Sequence, residues 1–408
     1  MIVCIEDLRT RARRRLPRAV FDYVDGGAGD EITLQRNMAG FQRYMFRPRV
    51  LTDVGARDQS VMVLGERLVS PIVLAPTGLI GMVVPRAEIL AARVAERKGL
   101  VFALSSMATC SLEEVAQAAR PPLWFQMYIW RDRGLTRSFV ERAQAAGYRA
   151  LCLTLDVQVL ATRDRDARHG FFTVPSRVTV RSVLGALAKP GWFWGMIRWP
   201  FPTLANFVGL EGAGNTPQAL ARFATAQLDP SVSWRDLEWF RSIWQGPLAL
   251  KGVLTAEDAF LAVEHGADAI VVSNHGGRQL DGAPAAIEAL PEVVDAVGSR
   301  ADVILDGGVR RGSDIVKAVA LGAKACMVGR PFVYGLAAMG ERGAELAIDI
   351  LRDEVDRTLA LIGRPTIASL TRDVLQPTRF PRHRLARRRP GDTGHYKRLP
   401  GHHVGAPQ

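Results

Sequence analysis

The segment 269-AIVVSNHGGRQLDG-282 begins as a strand and ends as chemistry. The run 269-AIVVS-273 has the short, β-branched character of a strand buried on both faces. A histidine, two glycines and an arginine then occupy four consecutive positions, His275 to Arg278, where an ordinary strand would simply turn.

Working outward, seven further runs share the apolar character: 71-PIVLA-75, 100-LVFALS-105, 123-LWFQMY-128, 150-ALCLTLD-156, 248-LALKG-252, 302-DVILDG-307 and 325-ACMVG-329. Helical patterns lie between them at 86–99, 111–119, 136–147, 255–266, 284–298 and 312–322. Alternating strands and helices imply parallel pairing, because each crossover helix must cover the sheet. Eight such units match an α/β fold of the (β/α)8 TIM-barrel class, with its chemistry at the C-terminal ends of the strands. The first 70 residues, with the glycine-rich junction 21-FDYVDGGAGDE-31, are expected to form an N-terminal helical cap. A long insertion, roughly 157–247, separates strands four and five. One barrel domain over 1–376 and a basic tail over 377–408 complete the expected organisation.

Length and 48% apolar composition allow a large core. The four cysteines are scattered and form no CxxC pair, so neither a zinc site nor a disulfide scaffold is suggested, and no metal is expected. The N-terminus carries charges where a signal peptide needs an apolar stretch, and no run of 18 apolar residues suggests a spanning helix. The net charge of +12 hints at nucleic acid, but the tail from Pro377 holds eight Arg or Lys against one Asp, and no reader motif accompanies it. No specific nucleic-acid partner is expected. The tail reads as disordered, either solubilising or drawn to an anionic surface.

The insertion holds six of the eight tryptophans. Trp234, Trp239 and Trp244 fall in a helical stretch, 232–246, that suits packing on the barrel. Within 182–210, Trp192, Trp194 and Trp199 lie beside Lys189, Arg198, prolines and glycines. That mixture suits a segment in a membrane interface, where indole and basic groups meet headgroups. A partner-facing or substrate-covering loop has the same composition.

The barrel rule gathers scattered polar residues into one site. Gln126 and Tyr128 end strand three, Thr154 and Asp156 strand four, and Lys251 strand five, while Ser273, His275 and Arg278 follow strand six. After strands seven and eight come 306-DGGVRRG-312 and 329-GR-330, which resemble a phosphate cradle with Arg310 or Arg330 as charged donors. An imidazole beside a guanidinium suits a base next to a carboxylate anchor, with Asp156 to orient the base. Lys251 suits stabilisation of developing negative charge, with a snorkelling lysine as the plain alternative.

These motifs, together with 13-RRRLPRAVFDYVDGGAGDEITLQRN-37, 74-LAPTG-78, 105-SSMA-108 and 124-WFQMY-128, resemble the FMN-dependent 2-hydroxy acid dehydrogenase and oxidase family, which includes lactate and mandelate dehydrogenases. The resemblance runs from about Arg13 to Asp373. It implies oxidation of an L-2-hydroxy acid, lactate first and mandelate or another aryl or branched acid next, to the 2-oxo acid, with a related flavoenzyme acting on an unusual substrate as the remaining alternative. His275 would be the base, paired with Asp156. Tyr23, Arg163 and Arg278 would hold the substrate carboxylate, with Tyr128 near the reacting hydroxyl. Pro76, Thr77, Gly78, Ser105, Gln126, Thr154 and Ser273 would line the flavin ring, and Lys251 would sit by its electron-rich edge. Asp306, Gly308, Arg310, Gly329 and Arg330 would hold the ribityl and phosphate groups of FMN. Gly78 resembles dehydrogenases, since oxidases commonly carry alanine there, and the apolar insertion resembles the membrane segment of bacterial relatives. Both point to a quinone or other non-oxygen acceptor. The insertion, through 182–210, points to peripheral attachment at the cytoplasmic side of the membrane, with a soluble cytoplasmic protein as the alternative, and the resemblance implies a homo-oligomer, a tetramer. Two departures stand out: 157-VQVLAT-162 lacks a glycine usually found before Arg163, so that loop is free to take another path, and Met107 replaces an aromatic residue of some relatives.

Overall fold

In a computed structural model, which describes residues 1–169, 180–199 and 202–378, the eight expected runs become eight parallel strands closed into a barrel. They are β1 (Ile72–Leu74), β2 (Val101–Ser105), β3 (Leu123–Met127), β4 (Ala150–Thr154), β5 (Leu248–Val253), β6 (Ala269–Ser273), β7 (Asp302–Asp306) and β8 (Ala325–Val328). Closure is made by β8 on β1, with Cys326 opposite Ile72. Almost every strand residue is buried, as continuous apolar runs require when side chains face both the bore and the helices.

The bore is packed around one large residue. Trp124 is fully buried among Val73, Ala103, Ala150, Cys152, Ala249 and Ala269, small side chains that leave room for the indole. Val63 and Leu68 of the antiparallel hairpin Val61–Val63 and Glu66–Leu68 join the same cluster and close the bore near the start of the strands. Only the opposite end is left for a ligand.

The expected helices form with local stop and start signals. Ala87–Lys98 ends at Gly99, φ 61°. Leu112–Ala118 begins with a capping box, Ser111 Oγ accepting from Glu114 N at 3.1 Å. Arg133–Ala145 starts on Asp132, and Ala256–Glu264 on Thr255. Two further helices follow β8, Arg330–Met339 and Glu341–Leu361. They cross so closely that a Cβ on Gly335 would lie 2.2 Å from the Gly343 carbonyl oxygen.

The N-terminal segment caps the ligand end, as expected, with helices Ile5–Arg15, Arg18–Asp25 and Ile32–Ala39. It is sewn to the segment after β6. Ala28 N donates to Gly277 O at 2.8 Å, and Asn37 and Asn274 exchange amide hydrogen bonds at 2.7 and 2.8 Å. Asp281 accepts from Thr33 N at 2.8 Å at the start of the third helix.

In the insertion, the stretch around Trp234 to Trp244 forms the helix Arg235–Ile243. Trp244 is buried, Trp234 stacks on His265 and Trp239 lies under Arg133, so this part packs on the barrel. Helices Val180–Leu187 and Pro190–Ile197 differ. Leu184, Leu187, Trp194, Ile197 and Trp199 are about half exposed or more, a concentration of large apolar side chains in solvent. Among the described residues no helix is long and apolar enough to cross a membrane. Met1–Pro377 forms one compact unit. The expected disorder of the tail falls almost wholly on 379–408, outside the described residues, as do 200–201 of the expected membrane segment.

Gly308 tests the fit between cap and barrel. Its φ is 83°, and a Cβ there would lie 2.2 Å from the Asn37 carbonyl oxygen. Gly308→Ala should therefore destabilise the protein by about 2 kcal/mol or more, read as a lower urea midpoint. An unchanged midpoint would contradict the close packing.

Candidate active site

The C-terminal ends of the strands open into a cavity of about 380 Å³. After β6 the chain runs through His275, Gly276 and Gly277 with φ of 60°, 65° and 74°. A Cβ on Gly277 would come within 2.5 Å of Leu34 N, and one on Gly276 within 2.9 Å of Arg330 Nη1. Both glycines are thus required by packing as well as by conformation. His275 accepts the left-handed conformation at a cost of about 1–2 kcal/mol. Its N–H donates to Ser273 Oγ at 3.0 Å, which helps to hold the turn.

This turn aims the imidazole at Asp156 beyond β4. His275 Nδ1 lies 3.0 Å from Asp156 Oδ1. With Nδ1–H donating to the carboxylate, Nε2 is left to accept a proton. Room for Asp156 comes from a register shift in β5: Gly252 has φ 106°, and a Cβ there would lie 2.8 Å from the Asp156 side chain. Burial lowers the His275 pKa, and the Asp156 charge only partly restores it. Burial would raise Asp156, but His275 and Lys251 hold it below the usual carboxylate value.

Lys251 forms a second buried arrangement. Its Nζ lies 2.8 Å from Asp306 Oδ2 and donates to Ser273 Oγ at 2.9 Å, while Ser273 donates to the same carboxylate oxygen at 2.7 Å. Burial favours a neutral amine, but the charges of Asp306 and Asp156 prevail and raise the lysine pKa. A permanent cation therefore stands at the end of β5.

Two arginines approach from the other side. Arg278 Nη1 donates to Tyr23 O at 2.6 Å and Gly26 O at 3.1 Å, with the guanidinium 4.9 Å from the centre of the Tyr23 ring. Arg163 Nε donates to Arg278 O at 3.3 Å. Burial, and then the charge of Arg278, lowers the Arg163 pKa to about 10. Tyr23 donates to Gly78 O at 3.1 Å, and burial lifts Tyr128 to about 12. Two guanidinium groups, with only the distant carboxylate of Asp166 to offset them, stand beside the imidazole and suit an anion that gives up a proton.

At the far end, Gly308, Arg310, Gly329 and Arg330 also line the cavity, beside the N-terminus of helix Arg330–Met339. The Arg330 guanidinium is committed to carbonyls, donating to Val24 O, Gly276 O and Gly26 O at 2.9, 2.9 and 2.7 Å. Burial, reinforced by Arg278 and Arg310, lowers its pKa to about 10, so a dianion here would relieve a crowded positive region. The glycines carry a packing role that the phosphate reading did not anticipate, since Gly308 is required by contact with Asn37.

Every expected site residue lines the cavity except Asp156 and Ser273. These two stand behind the wall, orienting His275 and Lys251. Two wall atoms, Gln126 Nε2 and Thr154 Oγ1, are buried without a partner among the described residues. Such orphans call for a ligand with polar groups along its edge, and the flavin ring of FMN has them. Charge completes the fit: the lysine cation stands beside these atoms and the anion-seeking end lies beyond.

The loop 157–162 still brings Arg163 to the cavity, because Gln279 Nε2 donates to Asp156 O and Val159 O at 2.9 and 3.0 Å. Several wall residues were not expected. Met82 comes from the turn Ile80–Met82, and Gln218, Ala221, Arg222 and Thr225 form one face of helix Pro217–Ala226. Their helical spacing is visible in the sequence, but their approach to the mouth depends on the path of the insertion.

Residues 12–377 match the family of FMN-dependent dehydrogenases. The L-lactate dehydrogenase of Caulobacter sp. (strain K31) is 45% identical over 374 residues, covering 91% of this chain and 98% of the relative. That of Pectobacterium atrosepticum is 44% identical over 371 residues, covering 90% and 95%. Among solved structures, the monotopic membrane protein (S)-mandelate dehydrogenase is similar with a TM-score of 0.89 and 40% identity, covering 92% of this chain and all of that one.

The imidazole and carboxylate pair carries a pH prediction. With His275 as the base, which acts only when neutral, kcat/KM is expected to fall as pH drops through the His275 pKa, and burial puts that limb below the ordinary histidine value. Asp156→Asn removes the charge that favours imidazolium. The limb should move lower still while the rate falls by about 10²- to 10⁴-fold. A limb that stays or moves upward in the pH profile would contradict the pairing.

Proposed function

The chain belongs to the FMN-dependent dehydrogenase family, and from that premise we propose that it oxidises L-lactate to the 2-oxo acid and passes the electrons to a quinone or other non-oxygen acceptor. The observation that carries this reading is one cavity holding the His275–Asp156 pair, 3.0 Å apart, opposite Arg163 and Arg278.

Arg163 and Arg278, with Tyr23, bind the substrate carboxylate and so fix the orientation of C2, whose single hydrogen would then be presented toward the cofactor site. His275 Nε2 takes the hydroxyl proton, and Asp156 stabilises the imidazolium at Nδ1. Tyr128 contacts the substrate near the same hydroxyl. FMN, when bound, would supply the acceptor for the C2 hydrogen together with its two electrons, as a hydride equivalent. Lys251, kept charged by Asp306 and Asp156, stabilises the negative charge that these electrons bring. Gln126 and Thr154 would hold the flavin edge, and Arg310, Arg330 and the helix N-terminus would hold its phosphate.

Lactate is favoured over mandelate by the named L-lactate dehydrogenases at 42% to 45% identity. Mandelate or another bulky 2-hydroxy acid is the second reading, supported by the apolar wall of Met82, Met107 and Leu204. The exposed apolar face of helices Val180–Leu187 and Pro190–Ile197 supports peripheral membrane attachment, in line with the monotopic (S)-mandelate dehydrogenase. The cytoplasmic side, and assembly as a homo-oligomer of four copies, belong to the same proposal.

Anaerobic mixing of the flavin-loaded protein with L-lactate and L-mandelate in parallel, followed by flavin absorbance, tests the substrate. Faster loss of oxidised flavin with L-lactate is expected. Faster loss with L-mandelate moves the assignment to the second reading, and no loss with either removes the simple-acid reading. Arg278→Met should lower kcat/KM by the equivalent of about 2–5 kcal/mol, as for a buried charge partner; unchanged kinetics would exclude Arg278 from carboxylate binding.

A further inference from the structure

Asp166 is a buried carboxylate that the reaction outlined above does not use. It lies on helix Asp164–His169, is 7% exposed, and sits 3.8 Å from Arg163 Nη1. Among the described residues no donor hydrogen-bonds to its side chain, which is unusual for a buried carboxylate. Its acidic neighbours are different. Asp25 accepts from Arg9, Arg165 and Tyr334, and Asp22 from Arg18 and His169. Those two tie the cap together, whereas Asp166, among the described residues, faces the cavity arginines Arg163 and Arg278, with Asp22 and His169 near it, through charge and without a hydrogen bond.

We propose that Asp166 is a positioning residue that acts as the standing counter-charge of the Arg163–Arg278 pair and thereby weakens the hold of that pair on the substrate and product carboxylates. The inference rests on reading the two arginines as the carboxylate clamp. Two guanidinium groups side by side repel each other, and their hydrogen bonds to Tyr23 O, Gly26 O and Arg278 O add no negative charge. Asp166 supplies that charge. When a 2-hydroxy or 2-oxo acid enters, its carboxylate faces the same arginines and is repelled by Asp166.

The sign of the effect follows from what holds the clamp. Arg278 is fixed by two backbone carbonyls and by the Tyr23 ring, and Arg163 by the Arg278 carbonyl. Asp166 meets Arg163 only at ion-pair distance, 3.8 Å, beyond hydrogen-bond reach, so neutralising it removes charge and keeps the hydrogen bonds that fix the clamp. Anion affinity should rise. A purely structural carboxylate would give the opposite result, because its loss would loosen the clamp.

The test is pyruvate binding to the oxidised, flavin-loaded protein, read by perturbation of flavin absorbance, with the neutral amide of pyruvate as control. Asp166→Asn is expected to bind pyruvate about tenfold more tightly and the amide no differently. Asp166→Ser, smaller and also neutral, is measured beside it in case the asparagine protein does not load flavin, with the same expectation. Unchanged or weaker pyruvate binding in the neutral variants overturns the proposal. Arg278→Met in the same assay separates the two levels. If it weakens pyruvate while the Asp166 variants do not strengthen it, the clamp stands and the counter-charge role falls. If Arg278→Met binds pyruvate as tightly as the wild type, the clamp itself is wrong.

Discussion

Lys251 and Asp306, 2.8 Å apart and joined through the Ser273 hydroxyl, link three adjacent strands at the mouth of the barrel. An isolated charge at such a depth would be neutralised or expelled. The pair is held by the register that sets β5, β6 and β7 side by side, with Asp306 opposite Ser273. Trp124 and the hairpin beneath it close the other end of the bore, so the charged layer lies on packed hydrocarbon. Much else follows from this layer. Ser273 also receives the His275 N–H, so the lysine pair and the catalytic turn share one hydroxyl, and the Gly252 bulge beside Lys251 gives Asp156 its place under the imidazole.

The mouth is correspondingly rich in charge that the fold alone does not require. Lys251, Arg163, Arg278 and Arg330 are largely or fully buried, and the arginines spend their hydrogen bonds on neutral carbonyls. An excess of buried cations is costly to stability and calls for anionic ligands, which in the proposed function are a substrate carboxylate and a cofactor phosphate. The N-terminal cap is part of this arrangement, since Tyr23, Val24 and Gly26 supply the carbonyls that hold Arg278 and Arg330. Loss of the cap would therefore release the clamp as well as uncover the cavity.

The barrel was legible because its strands are buried on both faces and read as unbroken apolar runs, most of them carrying a polar residue at or near the C-terminal end with no role in the core. Gln126, Thr154, Lys251 and Ser273 could be assigned to one end of one barrel from that alternation alone. Their division of labour could not. Ser273 reads as a wall residue but stands behind Lys251, a matter of which way the strand pleat faces at its last position. Gly308 reads as a site of anion approach, yet contact with Asn37, some 270 positions earlier in the chain, is what excludes a side chain there. Helix Pro217–Ala226 and Asp166 were missed for a related reason. Both belong to the insertion, whose route over the mouth is set by long-range contacts. The helix Glu341–Leu361 carries a regular stripe, Ala344, Ala347, Ile348, Leu351, Val355 and Leu359, but alanine weakens its hydrophobic signal.

The insertion connects the two faces of the proposed function. Trp192 Nε1 donates to Met82 O at 2.9 Å, so the helix that exposes Trp194 and Ile197 is fastened to a turn of the cavity wall. The surface offered to a membrane and the space offered to a substrate are thus neighbours. The imidazole of His275 lines the substrate space, and the most direct measurement is single-turnover flavin reduction by L-lactate in His275→Ala under anaerobic conditions. The variant is expected to load FMN and to bind pyruvate as the wild type does, with flavin reduction slowed by about 10²- to 10⁴-fold. Reduction at the wild-type rate would contradict the assignment of His275 as the base.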